Sequence, residues 1–374
     1  MHVVHIYKDY APVLGGIEGH IHTIAVGMVL RGIKVSVVVC QPRDVQLPRE
    51  EIMQGVRVIR LPRDVDIASA AFSWQHLSIV RQLRPDIIHL QMPWPPGDVI
   101  SALLDSIPLV VSYQSDVVRQ RLAMQGYAPL LRRTLSRART VIATSPAYVQ
   151  TSAWLKPWQS KIQIVPLGMH PPTPPDNGRV VIWRTRLPFP FLLWVGRMRY
   201  YKGLQYLIAA LSQLPTEIKL VLVGSGPMQR ELATLVEHAQ LTNRVICLGD
   251  CSDADVAALH ALARIFVFPS HLRAEAFGLS LLEALAAGVP AISCEIGTGT
   301  SFVNQHRRSG IVVPPANPHA LAQAIQTLWY DEPMRMQMSQ FARTWVAQNF
   351  HADQMIDDIV GIYHDVIDRT NAES

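Results

Sequence analysis

Ile265-Phe-Val-Phe268, and seven residues later Glu275-Ala-Phe-Gly-Leu-Ser-Leu-Leu-Glu283, form the stretch that decides the fold. The four apolar residues predict a buried strand. Leu279 to Ala287, closed by Gly288-Val-Pro290, predicts a helix. Gly278 then stands near a helix N-terminus, where free backbone N–H groups and the helix dipole attract an anion. Glu275 lies just before that anion site, and Glu283 lies about one turn inside the helix. A phosphorylated sugar suits the arrangement: diphosphate on the N–H groups, one carboxylate on the sugar hydroxyls, the other on the ribose.

Outward from this stretch the same strand-then-helix rhythm recurs. Strand candidates before it are Val3–Tyr7, Lys34–Cys40, Val56–Arg60, Asp86–Leu90, Leu109–Tyr113, Val141–Thr144 and Ile162–Val165. A second set is Phe191–Val195, Lys219–Val223, Val245–Leu248, Ile265–Phe268, Ala291–Ser293 and Ile311–Val313. Amphipathic segments lie between most of them, which argues for βα units and parallel sheets. Between the two sets, His170-Pro-Pro-Thr-Pro-Pro175 marks a proline-dense stretch that resists helix and sheet. The expected organisation is a domain over 1–168, a linker over 169–190 and a second domain over 191–352.

A chain of 374 residues with 49% hydrophobic and 17% charged residues is ordinary globular material for about two domains. No apolar run approaches the roughly 18 residues of a membrane span. Met1-His-Val-Val-His-Ile enters a strand-like run directly, without a signal-peptide layout, so a cytoplasmic location is expected. Cys40, Cys247, Cys251 and Cys294 complete no zinc pattern and are expected to be buried free thiols. The net charge of +5 is uneven, with no Asp or Glu from Val117 to Pro175. That stretch carries Arg119, Arg121, Arg132, Arg133, Arg137, Arg139, Lys156 and Lys161. It suits either a polyanionic partner or a solvated basic face. Apolar residues interleaved with Arg132, Arg133, Arg137 and Arg139, on a helix beginning near Pro129, fit an anionic membrane surface.

Several motifs stand in a recognisable order: Gly15-Gly16-Ile17-Glu18, Val195-Gly196-Arg197 with Lys202-Gly203, and Gly224-Ser225-Gly226-Pro227. Glu275 to Glu283, Gly297-Thr-Gly-Thr300 with Val303-Asn304-Gln305-His306, and Gly310-Ile-Val-Val-Pro314 complete them. Over nearly the whole chain they resemble the retaining glycosyltransferases of family four. The resemblance implies an α/β GT-B fold: two doubly wound Rossmann-like domains facing a cleft, with the final helix, 353–368, returning to the first domain. It implies transfer of a hexose from a nucleotide-sugar donor to a glycan or lipid-linked acceptor, without metal or other cofactor and without nucleic acid. The nearest branch acts in bacterial surface-polysaccharide assembly, where mannosyltransferases using GDP-mannose are frequent. A nucleotide-sugar epimerase of the same fold and an inactive scaffold are the alternatives.

Carried over residue by residue, the resemblance gives Arg197 and Lys202 the departing diphosphate, whose growing charge two cations at strand ends can neutralise. Glu275 orients the sugar. Gly16, Gly224 and the amides of Phe277, Gly278 and Leu279 take the donor phosphates, and Glu283 takes the ribose. Gln229 stands at the third glycine position of a dinucleotide fingerprint, which weakens a hydride-transfer interpretation of Gly224-Ser-Gly226. Asp253 either accepts hydrogen bonds from guanine or caps the helix it opens. Gln114 stands where relatives carry a His thought to contact the sugar hydroxymethyl group. It can hydrogen-bond but does not titrate near neutral pH. Asp116, two residues on, serves the acceptor or a local turn.

Overall fold

The computed structural model describes all residues except 14, 44, 68–69, 117–120 and 374, together with the side chains of all but 67 and 121–125. The chain divides into two compact units, Met1–Gly168 with Ala352–Ser374, and Met169–His351.

The first unit carries β1 (His2–Ile6), β2 (Lys34–Cys40), β3 (Glu50–Met53), β4 (Val56–Leu61), the short hairpin β5 (Val65–Ile67) and β6 (Ala70–Phe72), β7 (Ile87–Met92), β8 (Leu109–Tyr113), β9 (Thr140–Ala143) and β10 (Ile162–Ile164). Its main sheet has the order β10-β9-β8-β7-β1-β2-β4-β3, parallel except for the antiparallel edge strand β3. The order reverses between β1 and β7, which pair directly. Strands β1, β7, β8 and β9 are buried along their length. That burial on both faces is why they read as apolar runs.

The helix Ala352–Glu373 packs on this unit. Ile356 fits so closely over Gly27, in the helix Gly16–Leu30, that a Cβ there would collide with it. Arg31 Nε meets Asp357 at 2.6 Å. The Tyr363 hydroxyl reaches His89 on β7.

The second unit holds β11 (Phe191–Val195), β12 (Lys219–Val223), β13 (Val245–Gly249), β14 (Ile265–Phe268), β15 (Ala291–Cys294) and β16 (Gly310–Val313). All run parallel in the order β13-β12-β11-β14-β15-β16. The crossover reverses between β11 and β14. Ligands of open α/β sheets bind beyond the strand C-termini at such a point.

Three expectations need correction. The stretch 169–190 is not a bare linker: Asn177–Arg186 is a helix whose N-terminus is capped by Asp176, which accepts from the Arg179 amide. The helix docks through Arg179 and Trp183, both donating to Asp255, at 2.6 and 3.0 Å. The basic helix starts at Arg121 rather than near Pro129 and carries that proline inside it. Cys247 is exposed and Cys251 half-buried, because β13 is an edge strand; Cys40 and Cys294 are buried.

Candidate active site

The loops after β11 and β14 meet at the reversal point of the second sheet. Gly203 makes this possible. Its φ is +70°, and any Cβ would overlap the Pro269 carbonyl, so only glycine lets the two loops close. The His271 amide then donates to the Tyr201 carbonyl at 3.0 Å. The adjacent Lys202 is thereby brought to Glu275, with Nζ 2.6 Å from Oε2. Both side chains are nearly buried, at 12% and 10% exposure. The Ser270 hydroxyl donates to the same Oε2 at 3.0 Å. The ammonium also lies 5.0 Å from the Phe268 ring and 5.5 Å from the Tyr201 ring. Desolvated, this cation and carboxylate interact far more strongly than a surface pair.

Immediately after Glu275 the chain turns at Gly278, with φ +91°, into the helix Leu279–Ala286. A Cβ on Gly278 would press on the Phe268 ring at 3.0 Å, so glycine is needed for both conformation and space. The helix's first amides have no intrahelical acceptor and are directed out of its N-terminus. Phe277 is buried against Phe350, which fixes the turn. Glu283 follows one turn on. Its carboxyl is pushed up to about 7, first by the surrounding protein and second by the Asp253 carboxylate. The side chain is nonetheless exposed at the surface, so solvent screens that push, and the upward direction is what the geometry supports.

The β11, β12 and β13 ends are laced together. Gly224 donates to the Gly249 carbonyl at 2.7 Å, and Gly196 donates to the Val223 carbonyl at 3.0 Å. Gly224 has φ +114°, and a Cβ on it would collide with the Gly196 carbonyl. Arg197, between these loops, is exposed and makes no ion pair among the described residues.

Asp253 is not the cap of its helix. Ser252 occupies that position and accepts from the Asp255 amide at 3.2 Å, leaving the exposed Asp253 carboxylate without a described partner. Two Asp-x-Asp triplets, a spacing that suits a divalent cation, occur at Asp64-Val-Asp66 and Asp253-Ala-Asp255. Most of these carboxylates are engaged: Asp66 with Arg43 and Arg63, Asp64 with Ser73 and Trp74, Asp255 with Arg179 and Trp183. Among the described residues no three His, Cys, Asp or Glu side chains are grouped to hold a metal.

In the first unit Gly16 opens the helix Gly16–Leu30. The Glu18 carboxylate folds back so tightly that a Cβ on Gly15 would collide with it. That N-terminus is therefore already faced by a carboxylate. Gln114 follows β8 and is buried. Asp116 serves local structure: its Oδ1 accepts from the Tyr113 hydroxyl at 2.8 Å and from Ser152 at 2.9 Å.

The basic stretch is partly committed. Arg137 donates to the carbonyls of Leu104 and Ile107, and Arg139 pairs with Glu373 at 2.6 Å. Arg132 and Arg133 are exposed, Arg132 lying over the Trp154 ring. Arg119 and the Arg121 side chain, with Leu122 and Met124, lie outside the described side chains. No helix among the described residues is long and apolar enough to cross a membrane.

Sequence reasoning singled out Lys202 and Glu275 but missed Ser270, Tyr201 and Phe268 around them. Their only signal was position at the ends of β11 and β14.

Residues 14–171 match the profile described as Glycosyltransferase Family 4, and residues 182–345 the one described as Glycosyl transferases group 1. The chain is 39% identical to O-antigen chain mannosyltransferase C of Escherichia coli, over 97% of this chain and 98% of that protein. It is 38% identical to D-rhamnosyltransferase WbpZ of Pseudomonas aeruginosa, over 94% of this chain and 93% of that one. Sucrose-phosphate synthase from Thermosynechococcus elongatus shares the fold, with a TM-score of 0.84 at 22% identity over 98% of this chain and 99% of that one.

Proposed function

The chain belongs to the family-four, group-1 glycosyltransferases of GT-B fold, and from that premise we propose that it transfers mannose from GDP-mannose with retention of anomeric configuration. The acceptor is a glycan or lipid-linked saccharide of O-antigen-like surface polysaccharide. The mannosyltransferase relative supports the sugar, and both bacterial relatives support transfer of a hexose.

One observation carries the chemistry: the desolvated Lys202–Glu275 contact at the β11/β14 reversal, beside the open N-terminus of Leu279–Ala286. Donor diphosphate seated on the Phe277, Gly278 and Leu279 amides lies beside the Lys202 ammonium. As the bond from the sugar's anomeric carbon to the diphosphate breaks, Lys202 and Arg197 offset the charge on the leaving oxygens. No metal is needed for that task. The acceptor oxygen forms the new bond on the same face, and its proton passes to the departing diphosphate. Glu275, held by Lys202 and Ser270, orients the sugar hydroxyls. Glu283 accepts from the ribose. Gly224 and Asp253 complete the donor contacts within the second unit.

Arg132 and Arg133, which among the described side chains of the basic helix have no acidic or carbonyl partner, supply a contact to anionic lipid at the cytoplasmic membrane face. This is where lipid-linked acceptors reside. At about 1 kcal/mol each they provide roughly 2 kcal/mol before salt screening.

A thermal-shift panel tests the donor assignment, because a ligand that binds the native state raises its apparent stability. GDP should raise the melting temperature more than UDP or ADP. Asp253→Ala should erase the preference while leaving stability unchanged within about 0.5 kcal/mol, since Ser252 holds the cap. Equal stabilisation by all three nucleotides would remove guanine, and with it GDP-mannose, from the account.

A further inference from the structure

The second unit has an open cleft of about 640 Å³ that the donor chemistry leaves unused. It lies at the opposite end of the sheet from the donor loops: Arg264 immediately precedes β14, and Gly288 and Pro290 precede β15. The helix Glu332–Asn349 supplies the facing wall. The lining carries Arg264, Arg335 and Arg343, and no Asp or Glu.

Main-chain contacts fix all three guanidiniums. Arg264 donates to the Trp329 carbonyl through Nε at 3.0 Å and Nη2 at 2.8 Å, and lies 5.2 Å from the Trp329 ring. Arg335 Nη1 donates to the same carbonyl at 2.8 Å and to that of Leu328 at 2.6 Å. Sharing one acceptor sets these two guanidiniums side by side. Arg343 Nη2 donates to the Ala287 carbonyl at 3.1 Å. Its guanidinium sits so close over Gly288, φ +79°, that a Cβ there would collide with it.

These contacts leave most of the guanidinium N–H groups without an acceptor among the described residues. Their charge is unmatched as well. The ion pairs described in the second unit are Arg179–Asp255 and Lys202–Glu275, so none of the three arginines has one. The carbonyls end the helices Pro318–Tyr330 and Leu279–Ala286, and each helix dipole offsets only about half a charge. Arg335 shows the imbalance. It is buried, and that burial, followed by the like charge of Arg264, pushes it below the usual arginine range; Glu332 and Asp331 oppose the push more weakly. An anion in the cleft relieves it. Fixed guanidinium forks match phosphate oxygens in pairs, where an ammonium offers only a point charge. The cleft also falls within the roughly 300–1,000 Å³ typical of small-molecule sites.

We propose that this cleft is a second anion site, which binds a small molecule through its phosphoryl group and can be filled while the donor site is occupied. Both ends of the sheet belong to one unit, and the proposal does not depend on which donor the loops after β11 and β14 take.

Calorimetric titration of the full chain, held in saturating GDP, tests this with inorganic phosphate, pyrophosphate and a hexose 1-phosphate as probes. At least one probe should bind to a single equivalent. Gln340→Glu puts a carboxylate on the exposed wall of the cleft. It should weaken that binding about tenfold, as should Arg343→Gln, the loss expected when one charge-assisted hydrogen bond is cancelled. Gln340→Glu should keep the GDP affinity of the wild type and its melting temperature without anion, which separates the cleft from the donor loops and from any loss of fold. Tighter binding of the hexose 1-phosphate than of phosphate identifies a phosphorylated sugar as the occupant, and equal binding identifies free phosphate. No binding of any probe to the GDP-saturated wild type would overturn the proposal. So would binding undiminished in Gln340→Glu, which would place the anion elsewhere.

Discussion

At the scale of single residues, the account turns on Lys202 and Glu275. Each is desolvated, and each is the other's charge partner at 2.6 Å. Removing one strands the other: a buried charge left without its counter-ion costs about 3–5 kcal/mol. Lys202→Ala should therefore lower both stability and turnover, the latter by at least about 100-fold, the usual loss when one donor to a developing oxyanion is removed. With the sugar-orienting role proposed for Glu275, Glu275→Gln should cut turnover far more than GDP affinity. Glu283→Gln should do the reverse. Steady-state kinetics and nucleotide titration on the three variants separate these roles, and reversed effects of the two glutamates would exchange their assignments. Glu275 and Lys202 were legible in the sequence because both motifs are local. Ser270 was not, because a lone serine five residues before Glu275 carries no motif, and its contact exists only once the loop after β14 has folded.

At the scale of elements, the basic helix shows how a sequence pattern divides in three dimensions. Four arginines fit one anionic surface on paper. In the structure Arg137 closes the Leu104 and Ile107 carbonyls and Arg139 ties to the C-terminal helix, so only two stay available. Arg132→Ser with Arg133→Ser should release the protein from anionic vesicles at lower salt while leaving its melting temperature near that of the wild type. Arg137→Ser should instead destabilise the fold. Vesicle binding indifferent to lipid charge would return this face to a solvated one.

The neighbouring helix Pro95–Ala102 carries Asp98, wholly buried, which accepts from the Tyr127 hydroxyl of the basic helix. Burial pushes Asp98 up to about 6, against the opposing pull of Tyr127 and Thr134. An unfolded Asp titrates near 4, so between about pH 4 and 6 the native state holds more protons than the unfolded state. Asp98 therefore favours folding most below that window, and the benefit is lost as pH rises through 6. Asp98→Asn, which can still accept from Tyr127, should be more stable than wild type at pH 7.5, by up to about 3 kcal/mol. That difference should shrink towards pH 4.5. Urea melts showing a gap independent of pH would contradict the assignment.

At the scale of the whole molecule, the α/β class was legible because parallel strands buried on both faces are continuous apolar runs. Lys34–Cys40, Leu109–Tyr113, Phe191–Val195, Lys219–Val223 and Ile265–Phe268 coincide with their predicted bounds. The exceptions have physical reasons. Glu50–Met53 is an exposed antiparallel edge strand, so no apolar run announces it. Asn177–Arg186 hides between prolines. It buries only Trp183, and its cap and its ties to Asp255 hold it in place. Pro129 suggested a helix start because proline is common in a first turn, yet here it lies well inside. The central claim joins the units' family membership to one chemical outcome, and magnetic resonance of the reaction mixture reads it directly. Incubated with GDP-α-mannose, a glycan acceptor and EDTA, the protein should release GDP and yield an α-linked mannoside. A β-linked product, a requirement for added metal, or conversion of the donor into another nucleotide-sugar without transfer would each contradict the account.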